Sequence, residues 1–321
     1  MSKPRVVISD CDHGTVEAEK EVFEQAGLEW ELFDCRREDE VIARCQGAAG
    51  ILSQYAPIKK DAIAALKGLK VLSRYGVGVD NLDVAAATAA GVAVCNVPDY
   101  CQDEVSTHAL ALLLDIVRGV SLQHGDVAAG GWDFRVAGSV PRTAGRTLGL
   151  VGFGAIARMT ARKALGFGMK VIAFDPYINQ TDMDVQLTDL DSLLSESDFI
   201  SLHAPLTDET NKIINAGTLA KMKDGAYLVN TSRGGLVDEA ALADAVRGGK
   251  VAAAGLDVLT NEPPEHGNPL VGLKNVVLTP HASFFSNDSI VELKRKSALN
   301  MVEVIEGRKV SYCLNPSVLG N

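Results

Sequence analysis

What the chain has little of narrows it first. Only 5% of its 321 residues are aromatic, and its six cysteines (Cys11, Cys35, Cys45, Cys95, Cys101 and Cys313) form no CxxC pair and keep no regular spacing. Neither a disulfide framework nor a zinc-ligand pattern follows from them, no other metal is implied, and free thiols of this kind suit a reducing cytoplasm. Cations are outnumbered, 31 Lys and Arg against 41 Asp and Glu, for a net charge of -10. A phosphate backbone is bound by clustered Lys and Arg, so no nucleic-acid partner is expected and any anionic ligand must meet a local basic site. No apolar run reads as a signal peptide or a membrane span: the most apolar helical stretch, Ala109 to Val117, is cut by Asp115 and followed by Arg118. No low-complexity linker separates one part of the chain from another.

What is present has the length and rhythm of two α/β domains. Single cores stop growing at roughly 250 to 300 residues, and this chain exceeds that. Short apolar runs alternate with helical patterns: VVISD, a helix around Thr15 to Ala26, WELFDC, a helix to Cys45, GILSQ, a helix to Leu66, VLSRYG, a helix to Ala90, and VAVCNVP. Repeated β-α of this kind makes a parallel sheet covered on both faces. A long apolar helix, Asp103 to Val117, then leads through a glycine-rich loop carrying Trp132 to a second series opening at Leu148: KVIAFD, DFISLHA, AYLVNT, AAAGLDV and NVVLTPH. The fold class is therefore α/β, with two doubly wound parallel-sheet domains in tandem. A last amphipathic helix over IVELKRKSALNMVEVIEG has only earlier structure to pack on, so the tail is expected to return to the first unit.

GLVGFGAIA, from Gly149 to Ala157, fits a strand turning sharply into a helix whose first N–H groups face a pyrophosphate. Gly152 permits the turn, Gly154 permits close approach, and Ala157 stands at the third, small position. Asp175 ends the following strand at about the 20-residue spacing at which a carboxylate accepts the ribose hydroxyls and repels a 2′-phosphate, favouring NAD over NADP.

Ligands of open α/β sheets lie beyond the carboxyl ends of the strands. There VNTSRGGLVDE places Arg233, whose ionised planar fork suits a carboxylate and can polarise a neighbouring ketone, and the two glycines after it are read as admitting ligand to the backbone. GLDVLTNEPP places Asp257 and Glu262, and VVLTPHAS places His281. A carboxylate beside the imidazole is expected to favour its charged form and fix its orientation, as proton transfer to a ketone oxygen requires. Of the other histidines, His108 reads as a core residue, His13, His124 and His266 as loop or surface groups, and His203 as a strand-end residue meeting the cofactor through its backbone.

Taken in order, GVGVDNLD, LGLVGFGAIAR, FDPY, LHAPLTDET, VNTSRGGLVDEAAL, GLDVLTNEPP and TPHAS resemble the motif series of the D-isomer-specific 2-hydroxyacid dehydrogenases, across nearly the whole chain. CQDEVSTHALALLL, TPHASFFSNDSIVELKRKSA and CLNP are further similar to the branch of the eukaryotic C-terminal-binding proteins. The resemblance implies that Arg233, Glu262 and His281 are catalytic. It implies cofactor contacts at Ala155, Ile156, Asp175, Ala204, Thr231, Ser232, Arg233, Asp257 and His281 to Ser283, beside Gly152, Gly154 and His203. Substrate contacts are implied at Arg233, His281 and the backbone of Tyr75, Gly76, Val77 and Gly78. It also implies a discontinuous, flavodoxin-like substrate domain (1–100 plus 285–321), a Rossmann NAD domain (101–284), and a homodimer joined through the NAD domain. Two positions depart from the branch: Phe284 stands where tryptophan is common, and Thr107 where an acid often precedes the helix histidine.

The expected function is NAD-dependent interconversion of a 2-oxo acid and its D-2-hydroxy acid. The alternative from another class is an NAD(H)-sensing, corepressor-like binding protein with little turnover. Ser53 to Pro57, Arg74, Tyr100 and Phe284 are candidates for choosing the acid's side chain, and Arg74 and Arg135 for meeting a phosphorylated one.

Overall fold

A computed structural model describes residues 3–320 and divides the chain into two compact units, Met1–Cys101 with Phe285–Asn321, and Gln102–Phe284. In the first unit β1 (Arg5–Ile8), α1 (Glu17–Gln25), β2 (Glu29–Leu32), α2 (Glu38–Arg44) and β3 (Gly50–Ser53) follow one another. They are succeeded by α3 (Lys60–Ala65), β4 (Val71–Arg74), α4 (Val84–Ala89) and β5 (Ala93–Cys95). The sheet order is β2-β1-β3-β4-β5, every pair parallel, which is the flavodoxin-like order with its change of direction between β1 and β3. Covered on both faces, such strands need continuous apolar runs: Val6, Val7 and Ile8 of β1 and all four residues of β3 are buried. The edge strand β2, EWEL, has no such need and carries two glutamates, which discourage pairing with another chain.

The second unit begins with α5 (Gln102–Arg118) and α6 (Val120–Ala128), then β6 (Thr147–Val151), α7 (Ala155–Gly166), β7 (Lys170–Phe174), β8 (Gln186–Leu187) and α8 (Leu190–Glu196). It continues with β9 (Phe199–Leu202), α9 (Ala216–Lys221), β10 (Ala226–Asn230), α10 (Glu239–Arg247), β11 (Val251–Leu256) and β12 (Val276–Leu278). Its order, β12-β11-β10-β9-β6-β7-β8, is the Rossmann order with one further strand, and its direction changes between β6 and β9. One core layer joins Leu110, Leu113 and Phe199 beneath α5 and α7; the other joins Leu193, Leu228 and Leu242 beneath α8 and α10.

The tail returns to the first unit. Helix α11 (Asn287–Ile305), started by a capping box in which Ser286 Oγ accepts Ser289 N at 2.9 Å, packs on α1, β3, β4 and β5. Asn315 then fastens the end of the chain, its Oδ1 accepting Val94 N at 2.7 Å and its Nδ2 donating to Val92 O at 2.9 Å.

The stretch read as a glycine-rich loop differs from expectation, because it holds α6 and a short 3-10 turn at Phe134–Ala137. Helix α6 buries none of its residues, so it lacks the apolar period by which a helix is read. No single described helix is long and apolar enough to cross a membrane; α5 and α6 together pass by length and composition but meet at a 61° bend, and α5 is core-facing.

Candidate active site

The site is built from the carboxyl ends of the second sheet. Gly152 follows β6 at φ 89, and a Cβ there would lie 2.7 Å from Ala204 N and 2.8 Å from the His203 carbonyl carbon. Only glycine therefore lets the β6 turn sit against the end of β9, and this contact is the switch point itself. Gly154, which caps α7 without a side chain, would carry a Cβ touching no atom of the chain. The amides of Ala155 and Ile156 open a helix of 12 residues at this place, with the positive end of its dipole toward an anion. Asp175, just past β7, accepts Phe153 N and Tyr177 N, one at each oxygen and both at 2.9 Å, and each oxygen keeps a lone pair for a hydroxyl. Past β10, Thr231 Oγ1 is buried with no partner in the chain, an orphan that a bound ligand would satisfy. These features fit a dinucleotide, with Gly152 to Ile156 at the pyrophosphate and Asp175 at the ribose.

His203 and Ala204 close the same corner. The imidazole Nε2 lies 2.9 Å from Ser201 Oγ, and burial pushes its pKa down to about 4, so it is neutral at ordinary pH. A neutral ring suits a backbone role better than an acid-base one.

Three neighbouring strands deliver the polar groups expected to do chemistry. After β10, Asn230 braces the turn, its Oδ1 accepting Ser232 N at 3.0 Å and its Nδ2 donating to Arg233 O at 2.9 Å, while Ser232 Oγ donates to Leu202 O at 2.8 Å. Arg233 Nη1 donates to Ser232 O at 2.8 Å, which holds the guanidinium near the strand end. The two glycines that follow approach the protein itself, which revises the expectation that they admit ligand. A Cβ on Gly234 would land on the Leu259 carbonyl, and one on Gly235 would lie 2.8 Å from Leu206 Cδ2. The arginine turn is thereby pressed directly onto the loop that bears Glu262.

In that loop Glu262 Oε1 accepts Leu259 N at 3.0 Å and Oε2 meets His281 Nδ1 at 2.6 Å. Burial pushes the Glu262 carboxyl up, but the hydrogen bond and charge of His281 together with the Leu259 amide outweigh it and leave the group below its ordinary value. With the carboxylate occupying Nδ1, the imidazole's other nitrogen, Nε2, is the one left to exchange a proton with substrate. His281 has φ 51, unusual for a residue with a side chain, and its N–H donates to Asp257 O at 2.8 Å. Asp257 is almost wholly buried, and its carboxylate takes Thr279 Oγ1 at 2.5 Å, Ala282 N at 2.8 Å and Ser283 N at 2.9 Å. The structure thus gives Asp257 and Ser283 to the histidine loop.

Two contributors were not read from sequence as parts of the site. His108, assigned to the core, places Nε2 2.9 Å from Thr279 Oγ1, behind the same loop. Glu239 on α10 accepts Thr260 N at 2.6 Å and Asn268 Nδ2 at 2.7 Å, holding the Glu262 loop from below. Their partners lie far along the chain, where spacing gives no signal; for His108, a polar residue at the margin of a buried helical stripe is the one available hint. The departures also have partners: the Phe284 ring lies edge-on to His281, centroids 6.3 Å apart, and Thr107 Oγ1 accepts Lys163 Nζ at 2.6 Å. Arg135 is engaged by Asp133 at 2.8 Å. In the first unit, Tyr75 is buried and donates to Glu19 Oε1 at 2.6 Å, and Gly76 N is spent on Arg74 O at 3.0 Å, leaving Val77 and Gly78 N as donors of that turn. Among the described residues no cluster of His, Cys, Asp or Glu could hold a metal ion.

Residues 110–283 match the family model described as the D-isomer specific 2-hydroxyacid dehydrogenase, NAD binding domain. A hydroxypyruvate reductase of Thermotoga maritima is 45% identical over 250 residues, 77% of this chain and 80% of that protein. A D-3-phosphoglycerate dehydrogenase of Archaeoglobus fulgidus is 37% identical over 297 residues, which cover 91% of this chain but 56% of that protein, so the chain spans little more than half its length. Among solved structures, a glyoxylate reductase from Paecilomyes thermophila superposes with a TM-score of 0.88 at 30% identity, covering 98% of this chain and 99% of that one.

Proposed function

This chain belongs to the D-isomer-specific 2-hydroxyacid dehydrogenase family and is an NAD-dependent oxidoreductase, and from that premise we propose that it reduces a small, unphosphorylated 2-oxo acid to the D-2-hydroxy acid, and reverses the reaction, with Arg233, Glu262 and His281 as its catalytic residues. The observation that carries the reading is the 2.6 Å pairing of His281 Nδ1 with Glu262 on loops locked to the Arg233 turn. Bound NAD(H) supplies or accepts the hydride. Arg233 grips the substrate carboxylate and draws charge toward the adjacent ketone oxygen. His281 Nε2 gives that oxygen its proton in reduction and takes it back in oxidation, and Glu262 keeps the ring oriented. The reading also assigns NAD contacts to Gly152, Gly154, Ala155, Ile156, Asp175, His203, Ala204, Thr231, Ser232, Arg233, Asp257, His281 and Ser283, and carboxylate contacts to the amides of Val77 and Gly78, those of Tyr75 and Gly76 being spent on Ser53 O and Arg74 O. The first unit with the returning tail would be the substrate domain, and the second the NAD domain.

Small substrates are favoured because a hydroxypyruvate reductase and a glyoxylate reductase are among the proteins this chain is similar to, and because Arg135 is already engaged by Asp133. A homodimer is part of the same reading. Val120, Val127, Trp132 and Phe134 of the NAD domain are exposed by 58%, 48%, 89% and 80%, a concentration of apolar surface suited to a second copy. A cytoplasmic location accords with six free cysteines. The test is NADH oxidation with pyruvate, glyoxylate, hydroxypyruvate and bulkier aliphatic 2-oxo acids. Turnover on at least one small acid is expected, with Arg233→Ala raising KM as well as slowing the reaction; tight NADH binding with turnover on none would overturn the reading.

A further inference from the structure

Cys95 ends β5, and Cys313 lies in the tail that returns to it. The two residues form an antiparallel bridge, and the neighbouring hydrogen bond runs from Leu314 N to Val94 O at 2.8 Å. A bond between the residue after one cysteine and the residue before the other marks a non-hydrogen-bonded pair, the register in which opposed Cα atoms stand about 4.5 Å apart and side chains are closest. A disulfide needs Cα atoms about 4.4 to 6.8 Å apart, so this register presents two cysteines within bridging range without moving the backbone. Asn315 fixes the register from both sides through Val92 and Val94, and accepts Cys313 Sγ at 3.5 Å. Both are free thiols here. Cys95 is fully buried, whereas Cys313 is partly accessible.

We propose that Cys95 and Cys313 form an oxidisable pair, a modification site at which a peroxide closes a cross-link between the C-terminal tail and the edge of the first sheet. The chemistry divides between the two sulfurs. The Cys95 thiol alongside holds the Cys313 thiol down at about 6 against the opposing effect of burial, while Cys313 and then burial push Cys95 up. Cys313, the lower and more accessible of the two thiols, is therefore the nucleophile, and on losing its proton it gives up its contact with the Asn315 amide oxygen. Thiolate attack on hydrogen peroxide breaks the O–O bond, gives a sulfenic acid on Cys313 and releases hydroxide, which becomes water by taking from solvent the proton that Cys313 lost on ionising. Sulfur of Cys95 then displaces hydroxide from the sulfenic sulfur and its own proton leaves with that hydroxide. In sum two thiols and one peroxide give one disulfide and two waters. No residue of the proposed active site takes part, so the pair stands or falls separately from the enzymatic reading. The remaining cysteines lack this arrangement, since none of them lies in a cross-strand bridge.

The test uses the reduced full-length chain with hydrogen peroxide, followed by alkylation of remaining thiols, proteolysis and mass spectrometry. Two of the six thiols should be lost, with a mass lower by two hydrogens and one peptide linking Cys95 to Cys313, and dithiothreitol should restore both. Cys313→Ser, at the more accessible partner, should abolish the linked peptide; should that variant fold poorly, the map of the wild-type protein decides alone. In the oxidised protein, amide exchange at Val94 and Leu314 should slow. Recovery of Cys95 as a free thiol, of Cys313 as sulfinic acid, or of a cross-link between other cysteines would overturn the proposal.

Discussion

After β1 the first sheet's switch point carries Ser9 and Asp10; after β6 the second carries Gly152 and Phe153. Asp10 is fully buried, and its carboxylate accepts Gln54 N at 3.2 Å, Tyr55 N at 2.6 Å and Ala56 N at 3.1 Å, with Ser9 Oγ at 2.7 Å. The first crevice thus binds an anion of the chain's own, and that anion fixes the loop after β3. In the second crevice the turn has no such side chain: glycine lets β6 and β9 close up, Asp175 stands one strand away, and Thr231 Oγ1 is left over. One topology offers donors at the same place twice. Whether that place becomes scaffold or ligand site is decided by a single side chain two residues past the first strand.

The comparison fails most visibly if chemistry does not belong to the second sheet's carboxyl edge. His281→Ala should lower kcat by roughly 100-fold to 10,000-fold while leaving NADH affinity nearly unchanged. A kcat close to that of the wild type would place the proton transfer elsewhere.

The next test strikes the first crevice. Asp10→Ala leaves the amides of Gln54, Tyr55 and Ala56, two of them buried, without their acceptor and should cost about 3 kcal/mol of stability in urea unfolding. NADH affinity, set by the other unit, should stay as it was. A variant as stable as the wild type would mean that the carboxylate only fills space.

Asp175→Asn sharpens the contrast on the ligand's side. Losing a charged acceptor for ribose hydroxyls and its repulsion of a 2′-phosphate should shift the NAD to NADP ratio in kcat/KM about tenfold toward NADP. An unaltered ratio would remove Asp175 from cofactor choice.

Much of this was legible because burial leaves simple marks. Strands covered on both faces, such as β1, β3 and β10, must be apolar without interruption, and GLVGFGAIA must follow a strand and open a helix to mean anything, as it does. Arg233, Glu262 and His281 could be singled out because each ends or follows such a strand, and the last two do come together. What remained hidden is tertiary. Nothing near Asp10 announces that its partners are the amides of residues 54–56, and nothing near His108 points to Thr279. The opposition of Cys95 and Cys313 depends on the register of a tail whose return could be expected but not aligned. Helix α6 was missed for a different reason: with no residue buried, it has no apolar face to set a period. The close approach at Gly234 and Gly235 is to the protein itself and not to a ligand, a difference that local sequence does not carry.

The finest distinction between the two crevices lies in the first residue past the adjoining strand, Gln54 after β3 and His203 after β9. Gln54 does not titrate. His203 is held neutral by burial, with a pKa near 4 in the folded chain against 6.5 for an ordinary histidine. As pH falls below 6.5 the unfolded chain takes up a proton that the folded chain refuses, so the unfolded state binds more protons and stability declines until the pH reaches about 4, below which the difference is constant. By about pH 5.5 this one group should account for a loss of about 1 kcal/mol relative to pH 7. In His203→Gln, which brings to the second crevice the residue type of the first, that part of the decline should vanish from urea unfolding measured at both pH values. If wild type and variant lose stability equally on acidification, the histidine is charged or freely hydrated when folded, and the second crevice is wetter than its buried surroundings imply.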